Sequence, residues 1–121
     1  MRRLVVTLLV AAAGTAALPA VAGNNVESFV QVTEKEWTLT LSRQSVRAGS
    51  VSIELVNFGM DIHDLVVLKK KAGAKPMRFK QLDPKGRSER TFRLKAGRYA
   101  LWCSLPGHKQ KGMHATLTVR G

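Results

Sequence analysis

Residues 29–42 read FVQVTEKEWTLTLS, and polar and apolar positions alternate there in two short bursts: Val30 and Val32 against Phe29, Gln31 and Thr33, then Trp37, Leu39 and Leu41 against Thr38 and Thr40. Successive side chains on a strand point to opposite faces, so period two in a stretch rich in Val, Thr, Trp and Leu predicts strand. The pattern returns over 51–56, where Val51, Ile53 and Leu55 face Ser52, Glu54 and Val56, and predicts a half-buried strand. Further strands are predicted over 63–68, 88–94, 99–103, with Tyr99, Leu101 and Cys103 on one face, and 114–120. Residues 77–82 fit a short strand or one helical turn, and the polar, punctuated run 69–76 an exposed connection. Turn signals at Ala48-Gly49, around Gly59, at Asp83-Pro84-Lys85-Gly86 and at Ala96-Gly97 separate these runs. Six to eight short strands with no convincing helix predict an all-β chain, an antiparallel Greek-key β-sandwich or barrel.

The first residues change the count of what folds. Residues 1–22 start Met1-Arg2-Arg3, continue through an apolar stretch to Leu18 and end Ala20-Val21-Ala22, the pattern of a cleaved signal peptide. Residues 23–121 are then one domain, expected in the periplasm or outside the cell. An exported domain this small is often stapled by disulfides, yet the chain has one cysteine, Cys103, and cannot form an internal one. Loss of Arg2 and Arg3 leaves 18 basic residues against 8 acidic ones, a formal charge of +10. That balance favours acidic partners. The seven aromatic residues do not interleave with the basic ones as a nucleic-acid stacking platform requires, which leaves acidic protein surfaces or peripheral contact with anionic membrane.

The candidate chemistry lies in WCSLPGHKQKGM, residues 102–113, where Cys103, His108 and Met113 follow a C-x4-H-x4-M pattern. Five extended residue steps would part Cys103 from His108 by roughly 17 Å, so the loop must fold back to bring both onto one atom. Pro106-Gly107 supplies the turn, and Gly112 does similar duty before Met113. A thiolate, two imidazoles and a weak thioether form the ligand set of an electron-transfer copper centre. His63, which opens a strand after a glycine-containing bend, is the best second imidazole. His114 follows Met113 on a strand and should point away from it. Zinc has little use for a thioether, and a catalytic thiolate would need a free Cys103 and a substrate pocket.

On these residues the chain resembles the cupredoxins, the small blue copper proteins. The resemblance runs from FVQVTEKEWTLTL through VSIELVNFGMDIHDLVV to GRYALWCSLPGHKQKGMHATLTV. The C-S-L-P-G-H segment is most similar to the ligand loop of azurins and auracyanins, and the spacing of His108 and Met113 is closer to auracyanin. The resemblance implies that His63, Cys103, His108 and Met113 hold one copper ion that cycles between Cu(I) and Cu(II). It also implies that the backbone N–H of Asp64 points at the Cys103 sulfur. Leu105, unlike a proline, keeps an N–H able to do the same, and Asp64 can accept a hydrogen bond from Ser104. Ile62 stands where azurin-like proteins have glycine, and Asp64 where they commonly have asparagine.

The expected function is shuttling of single electrons between redox proteins with acidic surfaces, such as a cytochrome, and nothing in the sequence marks an enzyme. The alternative from another class is a periplasmic copper carrier or sequestration protein using the same site. Met60, Leu105 and Pro106 are expected to form an apolar rim for partner docking around the edge of His108. Tyr99 resembles the tyrosine corner of a Greek key, a structural role. Oligomeric state has no signal in the sequence.

Overall fold

A computed structural model of the chain describes residues 27–121, with Gly14 and residues 16–18 besides. The expected signal peptide and its cleavage point fall outside these residues or on isolated positions among them. The strands are β1 (Ser28–Lys35), β2 (Thr38–Leu41), β3 (Ser45–Arg47), β4 (Gly49–Asn57), β5 (His63–Lys69), β6 (Met77–Leu82), β7 (Arg87–Leu94), β8 (Gly97–Trp102) and β9 (His114–Arg120). A single helix among the described residues, α1 (His108–Lys111), lies between β8 and β9. One sheet has the order β2-β1-β4-β7 and the other β3-β9-β8-β5-β6. The all-β sandwich expected from the alternation is present, and its inner faces meet in a core that includes Val30, Val32, Leu55, Leu65, Leu101 and Leu117.

Four expectations are corrected. The strands number nine among the described residues rather than six to eight, because three residues suffice for β3 and leave no periodicity to read. The sheets are mixed, not antiparallel throughout: β1 pairs with β4, and β3 with β9, in parallel. Parallel neighbours need a long crossover, and β2 with β3 supplies it by carrying the chain from the first sheet to the second and back. Strand β4 is buried on both faces from Val51 to Asn57, not half-buried. It runs between β1 and β7, and its polar side is covered by a cross-strand network in which Gln31 donates to Glu54 at 2.6 Å, Arg87 pairs with Glu54, and Ser52 donates to Glu89. Finally, the ligand loop contains a helical turn where none was expected.

Residues 77–82 resolve as strand, with Phe79 buried. Trp37 lies in the turn between β1 and β2 rather than in a strand. Tyr99 makes the expected corner, its hydroxyl donating to the Lys95 carbonyl at 2.9 Å. Glu34 is the exception to the pattern: it is wholly buried, and neither carboxyl oxygen has a hydrogen-bond partner.

Candidate metal centre

Two connections meet at one end of the sandwich, residues 58–62 between β4 and β5 and residues 103–113 between β8 and β9. Asn57 shapes the first. Its side chain is buried and donates to the carbonyls of Asp61 at 2.8 Å and Leu82 at 2.9 Å, while its oxygen accepts from the Gly59 N–H at 2.8 Å. His63 opens β5 with its ring fully buried, at a register shift against β6 between His63 and Leu65. Such irregularities re-aim a side chain where a regular ladder would not.

The second connection folds back as its sequence requires. Gly107 has φ 80° and Gly112 φ 126°, both left-handed values that favour glycine, and they bracket the single turn of α1. The loop is stitched to itself: the Cys103 N–H donates to the Met113 carbonyl at 3.1 Å and the Met113 N–H to the His108 carbonyl at 3.2 Å. Cys103 and Met113 are fully buried, whereas His108 is half-buried. His114 points to solvent, as expected from its phase.

The fold thus brings Cys103, His108 and His63 together from positions 40 and 45 residues apart along the chain. Cys103 Sγ lies 3.5 Å from His108 Nδ1 and 3.9 Å from His63 Nδ1, and the two Nδ1 atoms are 3.2 Å apart. A point equidistant from the three atoms lies about 2.1 Å from each, within the range of metal–nitrogen and metal–sulfur bonds. The three donors are therefore spaced to share one ion. Met113, the fourth residue singled out in the sequence, is buried at the end of the same loop.

The protonation chemistry fits a metal ligand set. Burial pushes the Cys103 thiol up from its ordinary range, partly offset by backbone hydrogen bonds from Asp64 and Leu105, while the nearby acids Glu34 and Asp64 push it further up. Without a metal the thiol is neutral and poorly reactive; a bound cation would take it as thiolate. Burial, with His63 beside it, lowers His108 from its ordinary range, which favours the neutral imidazole. Asp64 receives both groups of Ser104, the N–H and the hydroxyl, each at 2.6 Å, and so ties the two loops together.

Sequence reasoning missed Glu36 and Trp37, on the turn after β1. Glu36 Oε1 sits 2.7 Å from His63 Nε2, and its carboxylate accepts the N–H groups of Met60 at 3.0 Å and Asp61 at 2.9 Å. These two N–H groups, more than the imidazole, hold the Glu36 carboxyl down at about 2. Trp37 presents an edge-on contact to the His108 ring, with centroids 4.9 Å apart, and carries Lys111 Nζ over its own face at 3.9 Å. Neither residue belongs to a linear motif; both reach the site only because the β1–β2 turn lies at the same end of the sandwich.

No family model matches the chain, and no curated protein matches it. Its fold is nonetheless cupredoxin-like, and His63, Cys103 and His108 form a cluster that could hold a metal ion. Among solved structures it is similar to reduced auracyanin from the photosynthetic bacterium Roseiflexus castenholzii, with TM-score 0.64 at 17% identity over 78% of this chain and 98% of that one. Auracyanin A, a blue copper protein of Chloroflexus aurantiacus, superposes with TM-score 0.62 at 16% identity over 78% and 99%. Rusticyanin from Thiobacillus ferrooxidans gives TM-score 0.64 at 17% identity over 78% and 77%.

Proposed function

We propose that this chain is an exported electron-transfer protein in which His63, Cys103 and His108 would hold one copper ion, with the Met113 thioether as a fourth, weaker ligand. The observation that carries the reading is the triangle of Sγ and two Nδ1 atoms, already at the spacing of ligands around one ion. Copper bound there would supply a one-electron couple between Cu(I) and Cu(II).

The chain's own part is to keep the donors still. Cys103, His63 and Met113 are buried in a packed sandwich, so their rearrangement is opposed by the core around them. His108 alone of the four is partly open to solvent, which makes its edge the way in for an electron. On the two loops that lead to His63 and His108, Met60 is 85% exposed, Pro106 is exposed and Leu105 packs half-buried against the core. The loop that carries Met60 also exposes Phe58 and Ile62, at 57% and 42%. An apolar rim set in a strongly basic chain suits a redox partner with an acidic surface.

The test is to add Cu(II) to the metal-free protein. An intense blue absorption that Cys103→Ser abolishes is expected; a colourless product, or colour that survives the substitution, rejects the assignment. Fast reduction of the loaded protein by a reduced cytochrome, with copper retained against a chelator, is expected of an electron carrier. Ready surrender of the ion to the chelator would instead mark a copper carrier.

A further inference from the structure

His63 has two ring nitrogens, and only one of them faces the cluster. Nδ1 turns toward Cys103 and His108, while Nε2 meets Glu36 Oε1 at 2.7 Å. The carboxylate is itself clamped, because the N–H groups of Met60 and Asp61 bind it from the loop that leads into His63. Gly59 leaves the room this requires: a Cβ there would collide with the Glu36 carboxylate. One carboxylate thus anchors the loop before His63 and the ring of His63 at once.

We propose that Glu36 is a positioning residue of the metal site that also sets its redox balance, an inference that rests on the copper reading above. An ionised carboxylate only accepts hydrogen bonds, so its partner nitrogen, Nε2, must carry the ring proton. That leaves the lone pair on Nδ1, the atom aimed at the cluster, and fixes the ring's orientation. The same carboxylate places a full negative charge one imidazole away from the ion. Negative charge there favours the more highly charged oxidised form, so Glu36 strengthens Cu(II) binding more than Cu(I) binding and draws the reduction potential down. It opposes the N–H groups of Asp64 and Leu105, which stabilise the sulfur's charge and act in the reverse sense.

Glu36→Gln tests this, because the amide keeps the shape and an oxygen for the loop N–H groups but removes the charge. The copper-loaded variant is expected to stay blue, to lose about 10- to 100-fold in Cu(II) affinity with Cu(I) affinity little changed, and to rise in potential by about 60 to 120 mV, which is that fold-change for a one-electron couple. Equal losses for both oxidation states with the potential unmoved would overturn the proposal and leave Glu36 a loop anchor. Wild-type protein that never turns blue would instead overturn the copper reading itself. A measurement on the unaltered metal-free protein stands independently of the variant's folding. Imidazole 15N–1H correlation is expected to find the His63 proton on Nε2, and a proton on Nδ1 would overturn the proposal.

Discussion

Leu105 and Glu34 act on Cys103 in opposite senses. Leu105 contributes a backbone N–H to the cysteine sulfur, a hydrogen bond that a proline could not make. With the loop still folded, Leu105→Pro is expected to lower the reduction potential of the copper-loaded protein by tens of millivolts, where ~60 mV corresponds to a tenfold change in a one-electron equilibrium. Cyclic voltammetry reads the shift directly, and an unchanged value would remove that N–H from the account. Glu34 is buried without a partner; burial first, and the charge of Asp64 second, push its carboxyl from its ordinary 4.5 up to about 8. Between those values the folded protein holds a proton that the unfolded chain has released. Stability is therefore fullest below about pH 4.5 and falls as pH rises through 8, a loss of order a few kcal/mol from this one group. Glu34→Gln is expected to flatten that slope in urea unfolding series between pH 4.5 and 8. A slope left intact would assign it to another group.

At the scale of elements, the ligand loop works because α1 is closed at both ends by glycines that few other residues could replace. Gly112 carries φ 126°, and a Cβ added there would stand 2.7 Å from the Trp37 carbonyl oxygen, a backbone atom that cannot swing aside. Gly112→Ala is expected to cost about 1 to 3 kcal/mol in chemical denaturation. Because Met113 follows directly, the variant should also broaden or shift the copper absorption. Tyr99 belongs to the scaffold under the same loop: its hydroxyl ties β8 to the Lys95 carbonyl. Tyr99→Phe should lose about 1 kcal/mol of stability and leave the copper spectrum unchanged, which separates scaffold from site.

For the whole molecule, charge and topology matter together. Without Arg2 and Arg3, eighteen basic residues against eight acidic ones give a formal +10, and the end of the sandwich that carries the His–Cys–His cluster exposes Lys109 and Lys111. Both lysines lie over tryptophan rings, Trp102 at 4.4 Å and Trp37 at 3.9 Å, so their charge is presented close to His108. The rate of electron exchange with an acidic redox protein is expected to fall steeply with ionic strength, since charges beyond the ~8 Å screening length at 0.15 M salt no longer steer the encounter. Stopped-flow mixing at increasing salt checks it, and a flat dependence would leave docking to the apolar rim alone. The all-β sandwich and the ligand loop were legible because each rests on local pattern or short spacing, period two in the strands and Pro106-Gly107 at a forced turn, whereas the Asp64–Ser104 tie spans 40 positions and was suggested only by the resemblance to azurin-like proteins. What the sequence by itself determined is the set of donors and the alternation that makes strands, since side-chain chemistry and strand pleat are properties of neighbouring residues. Only the tertiary structure decided that β1 runs parallel to β4, that β4 is covered on both faces, and that Glu36 reaches His63 across 27 positions. Those contacts depend on which strands pack side by side, and no period in the chain records that.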